Sequence, residues 1–196
     1  MWGNRKKGDR GADCLVSVDG TDFKVYEQGP AFSSHKFAKK SGLRYEIALC
    51  IQTGDIVWIH GPFECGKWPD ISIFRDSLIS HLDTAERVEA DDGYIGEAPL
   101  YVKCPKSFTN PKETEFMQKR VRSRQETCNK RFKHFGILKQ RYRHDLGDHG
   151  DAFRSCAVLT QLAIDSGEPL FSCGYKDPPF HNPFEVPDSD DEDDGV

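Results

Sequence analysis

Four acids of this 196-residue chain stand where a turn, a strand end or a helix would hold them in place: Asp19, Asp70, Asp91 and Glu126. Carboxylates are hard oxygen donors, so a convergent set suits Mg2+ or Mn2+. Two such ions about 4 Å apart can clamp the attacking and the leaving oxygen of a phosphodiester. Asp19 at the end of a first strand, Asp91 at the end of a later strand and Glu126 on a helix form a set of this kind. Each also has a plainer role: Asp19 as a turn residue, Asp91 as a cap, Glu126 as a surface acid. Asp70 reads as the N-cap of a helix starting at Ile71.

Other chemistries fall away on inspection. Gly61-Pro62-Phe63-Glu64-Cys65-Gly66-Lys67 matches the G-x-x-x-x-G-K part of a phosphate-binding loop, but Trp68 stands where the magnesium-binding hydroxyl belongs. Glu64 and Pro69 also make it a poor anion cradle, so a structured turn with Trp68 packed is the better reading. The seven cysteines include no C-x-x-C pair and their number is odd, which fits reduced core thiols in an intracellular protein. The histidines are scattered, with His144 and His149 closest, a spacing that makes no structural zinc site.

The elements that must position the acids follow from periodicity. Cys14 to Val18 reads as a buried strand meeting a turn at Asp19-Gly20-Thr21-Asp22, with a second small strand from Phe23 to Tyr26. Arg44 to Gln52 and Asp55 to His60 form a hairpin across Thr53-Gly54. Ile71, Phe74, Leu78 and Leu82 recur at helical steps and predict a helix of about three turns. Arg87 to Ala90 and Leu100 to Val102 read as short strands. A long helix runs from an Asn110 N-cap, through Pro111 and Glu113, to a stop at Gly136. Its Met117, Val121, Cys128, Phe132 and Phe135 project within about 60° of one another and face inward. A last helix spans about 150 to 166 and ends at Gly167. This order predicts an α/β domain with a mixed sheet.

No run of about 18 apolar residues occurs, so no membrane span is expected, and the start lacks the apolar segment of a secretory signal. The net charge is −5, yet six acids fall between Asp188 and Asp194, and residues 1–187 carry +1. Between Lys103 and His144 thirteen Lys or Arg face three acids, a local +10 that attracts polyanions, phosphate backbones above all, unless it is a solvated helix face. Residues 1–13 read as a flexible lead-in, 14–170 as the folded domain, and 171–196 as a proline-rich, then acidic, disordered tail.

Four segments in order resemble the catalytic domain of DDE-superfamily transposases, most closely the Harbinger-like endonuclease group. They are Val18-Asp19-Gly20-Thr21-Asp22; Gly66-Lys67-Trp68-Pro69-Asp70-Ile71-Ser72-Ile73-Phe74; Glu89-Ala90-Asp91-Asp92-Gly93-Tyr94-Ile95-Gly96; and Arg122-Ser123-Arg124-Gln125-Glu126 with Asn129, Phe132 and Lys133. The likeness spans about residues 14 to 167. The 34 residues between Asp91 and Glu126 are similar to that superfamily's D…E gap. The long helix also resembles the Y-x2-R-x3-E-x6-K signature of related bacterial transposases, with Lys119 in place of the tyrosine.

The resemblance implies a ribonuclease-H-like mixed sheet flanked by helices, with Asp19, Asp91 and Glu126, and Asp70 as a candidate fourth, holding two Mg2+ or Mn2+ ions. It implies nicking or transfer of DNA strands in the nucleus. Arg122 and Lys133, within about 40° of Glu126 on the helix, hold the DNA backbone or orient the glutamate, and Lys119 and Lys130 add to the DNA contact. Expected partners are DNA, a separate DNA-binding protein and a second copy of the chain. The alternative is an inactive, transposase-derived DNA-binding or regulatory remnant, favoured by the acidic tail and by the lack of an upstream helix-turn-helix. Glu126 points away from the apolar stripe, so the triad is expected to fail if its helix packs centrally on the sheet.

Overall fold

The computed structural model describes residues 1–8, 14–107 and 112–176. Five strands form one mixed sheet: β1 (Cys14–Lys24), β2 (Gly42–Cys50), β3 (Ile56–Glu64), β4 (Arg87–Glu89) and β5 (Val102–Lys103), in the order β3-β2-β1-β4-β5. β1 to β3 are antiparallel, and β4 and β5 run parallel to β1. The helices are α1 (Asp70–Asp76), α2 (Lys112–Phe132), α3 (Gly136–Lys139) and α4 (His149–Asp165). This is the ribonuclease-H-like arrangement expected. No described helix is long and apolar enough to cross a membrane.

β1 departs from expectation. The predicted turn at Asp19–Asp22 is continuous strand, because each of these residues pairs with β2, Asp19 opposite Ile47 and Asp22 opposite Arg44. Arg44 neutralises Asp22 across the pair, with Nε donating to Oδ1 at 2.7 Å and Nη2 to Oδ2 at 3.1 Å. An ion-paired cross-strand contact thus overrides the turn preference of Asp-Gly. Asp19 sits in mid-strand rather than at a strand end.

Both faces of β1 are covered, so the strand shows no polar alternation. Phe23 joins Tyr45, Ile47, Cys128, Phe132 and Phe153 in a core under α2 and α4. Val16 and Val18 join Ala48, Val57, Phe74, Val88 and Tyr94 on the α1 side. All seven cysteines are buried free thiols.

Several boundaries also differ. α1 stops at Asp76, where Ser77 leaves helical geometry (φ −142°, ψ −61°), and a 3₁₀ turn over Leu78–His81 completes the predicted three-turn stretch. Asp70 is inside α1 and makes no capping bond; Pro69 holds the N-cap position. α2 ends at Phe132, and Gly136 opens α3 instead of stopping α2, since the extended Phe135 turns its ring onto the α4-side core. The predicted Asn110 cap and Pro111 lie outside the described residues, as does the acidic run. The phosphate-loop look-alike is dismantled: Gly61–Glu64 belong to β3, and Lys67 pairs with Glu64 at 2.6 Å.

The described ends are part of the packed body. Trp2–Lys6 form a 3₁₀ turn whose buried Arg5 donates from Nε and Nη2 to Glu86 at 2.9 and 3.1 Å. At the other end Cys173 and Tyr175 are buried with Val121 and Ile51, beyond the domain limit expected at residue 170.

Candidate functional site

Parallel pairing of β1 with β4 ends at Ser17 opposite Glu89. Asp19 and Asp91 each lie two residues beyond that pair, so period-2 alternation puts both on the face of Ser17 and Glu89. That face lies beneath α2, which presses on the central strand: Ser17 Oγ donates to Gln125 Oε1 at 2.8 Å, and Gln125 Nε2 donates to the Ile47 carbonyl at 3.0 Å. One turn on, Asn129 Nδ2 donates to Asp19 Oδ2 at 2.7 Å.

A cavity of about 80 Å³ opens between these elements, lined by Ser17, Asp19, Glu89, Asp91, Arg122 and Glu126, with Val18 and Gln125 completing the wall. Such a volume holds a few waters or small ions rather than a nucleotide. Asp19, Asp91 and Glu126 are therefore brought to one cavity from three elements, although α2 packs centrally. With the helix packed centrally, Gln125 and Asn129 face the sheet, while Glu126 and Arg122, on the flank, line the cavity.

Asp70 does not line this cavity. Its carboxylate lies on the α1 side of β1, packed onto Gly20, with Arg44 Nη1 3.3 Å from Oδ1. Neither a cap nor a cavity wall, it fills the space a side chain at position 20 would occupy. Lys119 and Lys130 are exposed on α2, within about 40° of Glu126 in helical projection, and Lys133 is exposed in the turn just past its end; none of the three lines the cavity. Lys133 reaches over the Phe23 ring.

The electrostatics are those of crowded acids. Burial pushes the Asp19 carboxyl up to about 7; Lys36 pulls it down, Asp70 and Asp91 push it further up, and a hydrogen bond from the Gly20 backbone lowers it. Behind β1, burial raises Asp70 and lifts Glu46 to about 8. Asp70 Oδ1, Glu46 Oε1 and the Tyr94 hydroxyl are buried there without a hydrogen-bond partner. Glu89 is the quiet acid of the wall: Lys103 Nζ stands 3.5 Å away, and the Tyr175 hydroxyl donates to it.

An oxygen-rich lining, without His or Cys, is the donor chemistry of a hard divalent cation, although Asn129 already donates to Asp19 and the Gly93 amide to Asp91, at 2.7 and 2.8 Å. Asp19, Asp91 and Glu126 are the candidates among the acids of that lining. Among the described residues, however, no three His, Cys, Asp or Glu side chains stand close enough together to hold a metal ion.

The basic stretch is thinner at the surface than its charge count. Lys103 is buried against Glu89, and Arg124 is fully buried, donating from Nη2 to the Cys50 and Ile51 carbonyls at 3.0 and 2.6 Å. Arg120 and Arg131 donate to the carbonyls of Ser172 and Glu168. Gln125, Asn129 and Lys36 belong to the site but were given no role from the sequence. Gln125 and Asn129 flank Glu126 on the helix, which is a usable signal. Lys36, which donates to the Gly20 carbonyl at 2.6 Å, comes from a loop that carries none.

No family model, curated protein or solved structure matches this chain.

Proposed function

We propose that this chain is a divalent-metal-dependent DNA endonuclease domain of the DDE transposase type, working on phosphodiester bonds in the nucleus. The observation that carries the reading is the convergence of Asp19, Asp91 and Glu126 on one small cavity at the point where β1 and β4 part. Ligand sites in open α/β sheets favour the carboxyl ends of parallel strands, where β4 ends here.

Asp19, Asp91 and Glu126 would hold Mg2+ or Mn2+, which would supply a hydroxide nucleophile and charge stabilisation at the phosphate. The chain's own residues do the rest. Asn129 fixes the Asp19 carboxylate by its 2.7 Å hydrogen bond. Gln125 locks α2 to β1 and β2, which sets how far Glu126 projects. Arg122 at the wall meets a phosphate oxygen, and Lys119, Lys130 and Lys133 hold the flanking backbone.

Asp91→Asn is the deciding variant. Wild-type protein should nick supercoiled plasmid with Mg2+ or Mn2+, and Asp91→Asn should abolish nicking with DNA binding retained. A second reading, a DNA-binding remnant that no longer cuts, is favoured by the lack of any described metal-sized cluster and by the engagement of Asp19 Oδ2 with Asn129. Metal-independent DNA binding without nicking selects it.

A further inference from the structure

Beyond the acid cavity, β1 continues from Ser17 to Lys24 with β2 as its only strand neighbour among the described residues, until Tyr142 N donates to the Lys24 carbonyl at 2.9 Å. A second cavity, of about 310 Å³, opens at this far end, lined by Lys24, Lys36, Lys40 and Arg141 with Phe37 and Ser41. Four cations thus share one wall. Arg141 is partly offset by Glu27, 3.7 Å away, whereas Lys24 and Lys40 pair with no carboxylate among the described residues. Lys24 is held over the Phe37 ring at 5.2 Å.

Lys36 joins the two cavities. It lines the basic one, yet its Nζ bonds the carbonyl of Gly20, the residue next to Asp19, and its charge acts on that carboxylate. From Gly20 to Lys24 the strand advances four residues, about 13 Å, which matches about four base-pair rises along a duplex axis.

We propose that this basic pocket is a phosphate subsite, in which Lys24, Lys36, Lys40 and Arg141 hold the backbone of the nucleic-acid strand that leaves the acid cavity. The inference rests on the DNA reading above and extends it: it says where the strand runs and which residues outside α2 carry it. The occupant is a polynucleotide, because cations spread along a path suit a row of phosphates better than one anion.

The test is binding without divalent metal, so that cleavage plays no part. Anisotropy of a labelled DNA duplex is titrated with full-length wild type and with the Lys24→Gln/Lys40→Gln double variant across a salt series. Both lysines are exposed and glutamine is polar and uncharged, so the substitutions remove charge without placing an apolar group or a buried vacancy in the fold. The double variant should bind about tenfold or more weaker at 0.1 M salt, with a log–log salt slope shallower by about 1.8. Lys67→Gln, which removes a cation already paired with Glu64, should change neither. Unchanged affinity and slope in the double variant overturn the subsite. Displacement of the duplex by inorganic phosphate or a mononucleotide at concentrations like those of the duplex overturns its assignment to a strand. A double variant that binds weakly, beside a wild type that never nicks plasmid, keeps the subsite and overturns the endonuclease. A nicking wild type with binding untouched in the double variant does the reverse, and failure of wild type to bind duplex overturns both.

Discussion

Gly20→Ala tests how tightly α1 is keyed to β1. Gly20 lies in ordinary extended backbone within β1, so strand geometry alone would tolerate alanine. Restricting the unfolded chain would even favour it by about 0.4–1 kcal/mol. The obstacle is Asp70: a Cβ at position 20 would stand 1.8 Å from its Oδ1 and 2.8 Å from its Cγ. The carboxylate must swing away, and in doing so it leaves the Arg44 guanidinium 3.3 Å from it. Overpacking of this kind costs about 1–3 kcal/mol, so the net destabilisation expected is about 1–2 kcal/mol. In an Asp70→Ala background the space is free, and the same substitution should be neutral or stabilising by up to about 1 kcal/mol. Urea unfolding of the four proteins in the cycle reads the coupling directly, at about 2 kcal/mol. Additivity within about 0.5 kcal/mol would refute the claim that Asp70 occupies the side-chain position of Gly20.

Acid should weaken the fold through His149. It is fully buried, with Nδ1 2.7 Å from the Tyr45 hydroxyl and Nε2 unpartnered, and burial lowers its pKa from 6.5 to about 4. The unfolded chain therefore binds a proton that the native chain refuses between pH 6.5 and about 4. The His149 contribution to stability rises with pH across that window and loses about 3 kcal/mol on going down through it, while the raised Asp19, Glu46 and Asp70 carboxyls, which hold protons the unfolded chain releases, act in the opposite direction. The difference in urea stability between wild type and His149→Phe isolates the histidine: acid should cost wild type about 3 kcal/mol more than the variant across the window, and a difference that does not vary with pH would refute the assignment. Phe153→Ala should cost about 3–5 kcal/mol by the same assay, because the fully buried ring stacks on Tyr45 at 3.9 Å and on Phe132 at 5.2 Å. Val158→Ala on the exposed side of α4 should stay within about 0.5 kcal/mol of wild type.

The candidate site was legible as a set of residue types and not as a geometry. Asp19, Asp91 and Glu126 could be chosen because acids at element boundaries suit hard cations. Asp70 was a candidate only through the family resemblance, and it lies across β1 from the cavity, since α1 approaches the sheet from the face opposite α2. Gln125 and Asn129 carry no role in the sequence reading, although their offset from Glu126 already puts them nearer the apolar stripe. Arg44 and Glu46 carried a signal of another kind: charges inside an otherwise apolar strand must find partners across it, and Arg44 does so by converting the expected turn at Asp22 into strand.

Local periodicity alone determined the strands of the hairpin, the existence of both long helices and the glycine end of α4, where Gly167 takes φ +109°. These depend on near neighbours and on which side of an element is apolar. Tertiary structure alone decided that β1 runs unbroken through Asp-Gly-Thr-Asp, that Lys103 and Arg124 are spent inside the protein, and that Lys36 reaches back to Gly20. Each of these turns on a partner tens of residues away, and the energy of a cross-strand ion pair or a buried carbonyl contact outweighs the local preference that a sequence window records. The three acids illustrate the division: their chemistry is written in the chain, but their meeting at one cavity is a consequence of where β1 and β4 separate.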